Sequence, residues 1–415
     1  MKKQLKNLLV PIGLLLLLVL AGCSSSANED NDGKTTISFV HWRGEDVEAF
    51  NSIIAKFEEE NPDIKVQMDV YPSDQYITVA QTKLRDGKTG DIFTSFPGAQ
   101  FESLAKADYF EDLSDEAFVG NFNENLITNG QNEGKQLALP YQLVFNQPIY
   151  NTAIFEKLGL EPPTDWEGFL AVCKTLKDNG YIPIAFPGDV APQQFMNSMV
   201  MNNQPDEDAL KNLQLGKTKL TDDWWVKTLS QIQELVDNGY FQDNALGTKQ
   251  DGAIALMAQE KAAMYATGSF AIASILEQNP ELKLDSLAPI TVAADEAKYE
   301  GIHTSTFMLA INKKSEKQEA AKKFLEFLSQ SDIATEYANA TAQHLTIKDV
   351  TYESEALQTL ETWTTKKTLF QPRYTITNTN VEKAVTGSIQ DVLSGTSPEE
   401  AAKKAQEIVE QNLDQ

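Results

Sequence analysis

Aromatic side chains flanked by charged or small polar residues recur in this sequence where a strand-like run gives way to a helix-like one. His41-Trp42-Arg43-Gly44-Glu45-Asp46 is one such stretch, Ser95-Phe96-Pro97-Gly98 a second and Gly268-Ser269-Phe270 a third. A flat ring covers an apolar face of C–H groups, contributing about 0.5–1.5 kcal/mol beyond area burial by analogy with aromatic pairs. Carboxylate, amide and guanidinium groups satisfy hydroxyls, arginine through a planar fork. The combination suits a ligand with an apolar face and a rim of hydroxyls, such as a pyranose ring.

Other chemistries find less support. His41, His303 and His344 are the only histidines, and none stands at metal-ligand spacing from another His or Cys. A Gly-x-Ser-x-Gly nucleophile elbow is absent. Asp86-Gly87-Lys88-Thr89 imitates the end of a phosphate-binding loop, but Thr82 occupies the required earlier glycine position, so the stretch reads as a surface turn. Glycoside hydrolysis needs only two carboxylates about 5–9.5 Å apart. With 60 Asp and Glu the chain has many candidates, and a glycoside hydrolase using a carboxylate pair stays open as the alternative. Nothing calls for a cofactor.

The elements that must present these residues follow from periodicity. Ile37 to His41 is a short apolar run. A helix follows with Val47, Phe50, Ile54 and Phe57 on one face, and Asn61-Pro62 ends it. Ile64, Val66, Met68 and Val70 alternate as a strand, Tyr76, Val79, Ala80 and Leu84 mark a second helix, and Asp91 to Thr94 a further strand. Strands alternating with helices imply parallel β-α-β units, whose ligands sit outside the carboxyl ends of the strands. A second series begins after Tyr141. Leu143 to Tyr150 reads as strand, Thr164 to Asn179 as a helix started by a Thr164–Glu167 capping box, and Ile182 to Phe186 as a buried strand. Trp225, Leu229, Ile232 and Val236 stripe a helix, which makes Trp225 core; Trp224 and Trp363 stay open. Lys261 to Gly268 and His303 to Ile311 are further strands, and Pro398 to Leu413 a closing helix.

The N-terminus has the three parts of a secretory signal: Lys2, Lys3 and Lys6, an apolar run from Leu8 to Leu20, and small residues up to Cys23. The run falls short of the roughly 20 residues a spanning helix needs. Leu20-Ala21-Gly22-Cys23 resembles the bacterial lipobox, whose cysteine is acylated and becomes the mature first residue. Residues 1–22 are thus expected to be a signal peptide and 23–35 a polar tether reaching at most about 40 Å. That predicts a protein exported and lipid-anchored to the outer face of the bacterial cytoplasmic membrane. A net charge of −25 opposes nucleic acid as a partner. Cys173, the other cysteine of 2, shares a helical stripe with Phe169, Leu170 and Leu176 and reads as a core thiol.

Several stretches spread over the chain resemble the carbohydrate-binding extracellular solute-binding proteins of ABC importers, the group of the maltose-binding proteins. They are Tyr150-Asn151-Thr152 with Phe155 to Leu160 and Pro163-Thr164-Asp165-Trp166, then Gly252 through Lys261-Ala262-Ala263-Met264 to Gly268-Ser269-Phe270, and Ala310-Ile311-Asn312 with Ala320 to Leu325. The resemblance implies an α/β fold of type II, two lobes each built on a β-sheet flanked by helices, joined by a hinge of three segments near Gln142, Ala294 and Leu345. Lobe 1 would comprise residues 36–142 plus 294–345 and lobe 2 residues 143–293 plus 346–415. An oligosaccharide would bind between them and be delivered to membrane permease subunits by a monomeric, non-enzymatic protein. Carried over residue by residue, Trp42, Arg43, Glu45 and Asp46 match a sugar-binding loop, Ser95 and Phe96 another, and Gln194 and Phe195 a segment of the second lobe. Phe270 stands where relatives stack a tryptophan, so the ring face is kept and the indole N–H donor lost. Tyr141 and Arg373 complete the candidate contacts. Trp166 matches a structural tryptophan. The missing His and Cys ligands and the sugar-family motifs weigh against a binder of metals or peptides.

Overall fold

A computed structural model describes residues 33–85 and 87–413. The signal segment, Cys23 and most of the tether lie outside them. Its strands are β1 (Thr35–His41), β2 (Ile64–Val70), β3 (Ile92–Ser95), β4 (Gln131–Asn132), β5 (Lys135–Gln136), β6 (Leu139–Phe145), β7 (Ile149–Asn151), β8 (Ile182–Ala185), β9 (Ala262–Tyr265), β10 (Leu284–Ser286), β11 (Gly301–Ile311), β12 (His344–Leu345) and β13 (Thr368–Phe370). No helix among the described residues is long and apolar enough to cross a membrane.

The first sheet runs β12-β6-β11-β3-β1-β2, with β13 added on β11. β1 pairs in parallel with both β2 and β3, as the alternation of strand and helix requires, and β11 returns antiparallel to β3 and β6. Phe50, Ile53, Ile54 and Phe57 on the helix Val47–Glu60 cover one face of this sheet and join Ile37, Phe39, Phe324 and Tyr337 in a core. Each fully buried ring of this kind contributes about 1.5–3 kcal/mol through removal of apolar surface from water. The second sheet runs β10-β7-β9-β8. Its main core gathers Phe169, Met196, Trp225, Ile232, Val385 and Val409, and it includes Trp224 as well.

Two strands join these bodies. Leu139 and Tyr141 of β6 belong to the first core, whereas Leu143 and Phe145 belong to a cluster with Tyr265 and Ile272 of the second. Phe307, Leu309 and Ile311 of β11 lie in the first core, while Ile302 packs with Met201, Ile290 and Leu369. After β12 the chain stays with the first core through Ile347, and Val350 and Tyr352 still pack against it.

Local details depart from the sequence reading. The expected strand Leu143 to Tyr150 is two strands, β6 starting earlier at Leu139 and β7 following a break at Asn146-Gln147-Pro148. Pro148 has no N–H to give a ladder. The helix Trp166–Asp178 is capped by Asp165, whose Oδ1 accepts the Gly168 N–H at 2.7 Å, rather than by Thr164. Cys173 is buried in the core as expected, and burial raises its thiol pKa.

Candidate functional site

Because β1 and β3 are parallel neighbours, their carboxyl ends come together, and with them Trp42 and Phe96. The two rings stack with centroids 3.8 Å apart and planes 23° from parallel. Tyr76 and Phe307 support the indole at 5.1 Å each. The Tyr76 hydroxyl reaches the Thr94 carbonyl at 2.7 Å and the Val40 carbonyl at 3.2 Å, and it accepts the Thr94 N–H at 3.0 Å, tying together the ends of both strands. Gln100 reaches back to accept the Phe96 N–H at 2.9 Å. His41 Nδ1 accepts the Arg43 N–H at 3.1 Å, which places the proton of the neutral ring on Nε2. Burial, aided by the Arg43 charge, lowers the His41 pKa to about 3, so the imidazole is neutral at physiological pH.

Arg43 is forked onto Asp46, Nε to Oδ2 at 2.8 Å and NH2 to Oδ1 at 3.0 Å, and its NH1 meets Glu45 at 3.0 Å. Burial works to lower the Arg43 pKa, but the Asp46 and Glu45 carboxylates outweigh it and raise the value, keeping the guanidinium charged. Asp46 is fully buried and also accepts from the Gln142 amide at 3.2 Å and from the Tyr337 hydroxyl. Its oxygens are therefore engaged by protein partners, which anchors the loop. Glu45 is reached by solvent yet crowded by protein. Desolvation raises its carboxyl pKa against the opposing pull of Arg43. Tyr265 lies at the end of β9 in the second sheet. There the Tyr265 and Thr267 hydroxyls are buried without a hydrogen bond of normal geometry.

Gly268-Ser269-Phe270 packs against the β6–β7 corner. A Cβ on Gly268 would stand 2.8 Å from the Phe145 carbonyl oxygen, so close approach demands glycine, and the Ser269 hydroxyl accepts the Phe145 N–H at 3.1 Å. Phe270 is half-buried beside the cluster containing Phe145 and Tyr265. The turn Pro372–Thr375 touches the Phe96 loop, because a Cβ on Gly98 would stand 2.8 Å from the Tyr374 carbonyl oxygen. Arg373 lies in that turn with NH1 on Glu382 at 2.8 Å and its guanidinium over the Tyr374 ring. The Gln194 side-chain Oε1 accepts from the Gln371 amide at 3.0 Å, and the buried Asn197 side chain donates to the Gln194 backbone carbonyl and accepts the Arg373 N–H.

Two further candidates are placed as scaffold. Phe195 is buried in the second core, edge-on to Phe186, and Tyr141 is buried in the first with its hydroxyl on the Leu328 carbonyl at 3.0 Å. The Ser95 hydroxyl is spent on the Phe96 carbonyl at 2.9 Å. Sequence reasoning missed Gln142 and Tyr337 as partners of Asp46, and Gln371 and Asn197 as partners of Gln194. All are polar residues without periodicity, brought in from distant segments. Among the described residues no group of three or more His, Cys, Asp or Glu is placed to hold a metal ion.

Residues 43–335, which begin inside the Trp42 loop, match the bacterial extracellular solute-binding protein family. The chain belongs to this family. Membership makes the solute-binding protein an exported one. It is 25% identical over 359 residues to the multiple sugar-binding protein of Streptococcus mutans, covering 83% of each chain. It is 26% identical over 343 residues to the melibiose/raffinose/stachyose-binding protein of Bacillus subtilis, covering 79% of this chain and 78% of that one. Among solved structures, RafE in complex with raffinose superposes with a TM-score of 0.78 at 21% identity, over 92% of this chain and 100% of that one. A chitin oligosaccharide binding protein gives 0.80 at 20% identity, over 91% and 99%. These likenesses give the solute-binding protein its fold, the two-lobed type II arrangement.

Proposed function

We propose that this protein is the sugar-capturing component of an ABC importer, holding an oligosaccharide between two lobes and handing it to membrane permease subunits. The observation that carries the reading is the Trp42–Phe96 stack at the carboxyl ends of β1 and β3, with the Phe96 loop touching the Pro372–Thr375 turn that leads to Ile376 of the second core. Through the half-buried Phe96 ring, backed by the Trp42 indole that is 9% exposed, the aromatic pair offers a platform for a pyranose face. Glu45 and Gln194 supply groups for the hydroxyl rim, and Arg43, buried and paired with Asp46 and Glu45, holds Glu45 in place. Phe270 adds a third ring, from the other lobe. The names of the relatives support a sugar as the cargo. We assign residues 36–142 and 303–352 to one lobe and 143–302 and 353–415 to the other, with crossings near Gln142 in β6 and, in place of the expected Ala294, between Ile302 and Phe307 in β11. The last crossing is set beyond Tyr352, because Ile347 and Tyr352 keep company with the first core.

We further propose that Cys23 is lipidated and holds a monomeric protein to the membrane by its N-terminal acyl chains. Two or more chains anchor a protein stably where one does not. Cys23→Ser should release the protein from the membrane fraction or leave the signal uncleaved; normal processing and retention would refute the anchor.

The function is tested by a thermal-shift screen over an oligosaccharide panel including raffinose, stachyose, xylo-oligosaccharides and chito-oligosaccharides. A ligand at 100 times its Kd stabilises by about 2.7 kcal/mol. The same incubations, analysed by chromatography, should return the stabilising sugar intact. Cleavage would favour a glycoside hydrolase, and no shift with any sugar would contradict the reading.

A further inference from the structure

β11 alternates between two cores. Leu309 and Ile311 face the first, whereas Met308 and Ala310 face a smaller cluster around Phe93 and Phe101. Phe307 keeps that alternation but leaves strand geometry, with a φ of 51°. The left-handed region is a genuine outlier for a bulky residue and persists only where the surroundings enforce it. The register with β6 is the same on both sides, Thr306 opposite Gln142 and Met308 opposite Pro140, so no residue is inserted. Only the pairing of Phe307 with Tyr141 is skipped, and the Tyr141 carbonyl accepts the Thr346 N–H at 3.1 Å. Pairing with β3 begins at the next residue, Met308 with Ser95. The strained residue thus sits where β11 parts from β3, in a strand that joins the two bodies.

Glycine would adopt this backbone without penalty. The ring that occupies it is fully buried and stands edge-on to Trp42, with centroids 5.1 Å apart and planes at 75°. The same ring meets His41 at 5.7 Å and Phe50 at 5.9 Å, so it is held on several sides. We propose that Phe307 is a positioning residue for ligand binding, its left-handed backbone aiming the phenyl ring at the indole and fixing the tilt at which Trp42 and Phe96 present their stacked pair. The assignment rests on the reading of Trp42 as a sugar contact.

The test compares the wild type with Phe307→Leu, Phe307→Met and Trp42→Ala. Near-ultraviolet circular dichroism of the ligand-free protein reports the asymmetry around Trp42, and Trp42→Ala identifies its band. Phe307→Leu and Phe307→Met, the latter able to refill the volume with a flexible chain, should both lose most of that band. They should also weaken raffinose binding about tenfold by calorimetry, on the scale of one lost aromatic edge contact. Variants that keep the band and the raffinose affinity while melting at lower temperature would overturn the proposal and leave Phe307 as core. Unchanged raffinose affinity in Trp42→Ala would instead overturn the sugar-contact reading, and the band, which needs no ligand, would still decide the role of Phe307.

Discussion

His41 links the last residue of β1 to the conformation of the Trp42 loop, and it does so only while neutral. Its Nδ1 accepts the Arg43 N–H, and protonation would remove that acceptor and bury a charge beside Arg43. In the unfolded chain the imidazole titrates near 6.5, in the folded protein at about 3. Between these values the unfolded state binds more protons, so stability is fully present above pH 6.5 and is lost as pH falls towards 3. The loss traceable to His41 is of order 4 kcal/mol. His344, lowered to about 4 mainly by burial, adds to the same limb. Asparagine places an acceptor near the position of Nδ1 without titrating. His41→Asn should therefore flatten part of the acid limb in urea titrations across this range, and an unchanged slope would contradict the assignment. Asp46 makes a different demand. Asp46→Ala strands a buried Arg43, and breaking a buried pair from one side costs about 3–5 kcal/mol, measurable as a fall in the denaturation midpoint. Phe270→Ala should weaken sugar binding by about 1–3 kcal/mol, with Phe270→Trp better tolerated. A lost core ring would instead appear as about 3–5 kcal/mol of stability at unchanged affinity.

Among the elements, β1, β3 and the helix Ser73–Leu84 form the frame of the platform, and one hydroxyl of that helix ties both strand ends. Tyr76→Phe leaves the buried Thr94 N–H and carbonyl without that partner, at a cost of about 1–3 kcal/mol. Weaker sugar affinity should accompany the lower melting temperature, whereas stability loss alone would show that Tyr76 does not position Trp42. This frame was legible in the sequence. The alternation from Ile37 to Thr94 prescribes parallel strands, and parallel strands bring Trp42 and Phe96 to the same edge. What the anchor of Arg43 needs was not legible. Gln142 and Tyr337 lie 96 and 291 residues from Asp46, and no local pattern marks an amide or a phenol as the partner of a distant carboxylate. The same holds for Phe195. Its place in a sugar-family segment suggests a contact, but it points along the buried face of its helix with Met196, Met199 and Val200. The break between β6 and β7 escaped because apolar residues continue across Pro148 and periodicity does not register a missing N–H.

On the scale of the molecule, the net charge of −25 favours solubility and disfavours anionic partners, consistent with a neutral cargo. β6 and β11 pass from one core to the other, so a change of angle between the lobes must be absorbed in these strands and in the segment beyond Tyr352. Ligand that bridges the lobes should close them. Small-angle scattering with a stabilising sugar should show a smaller radius of gyration, and an unchanged radius at saturation would argue against closure. The central claim, that a sugar is held on the Trp42 platform, is tested most directly by calorimetric titration of the sugar that stabilises the wild type most into wild type and Trp42→Ala. The account predicts saturable binding by the wild type, weakened at least tenfold in the variant, as expected for a hot-spot ring worth about 2 kcal/mol or more. Equal affinity in the two proteins, with both shown to be folded, would contradict it.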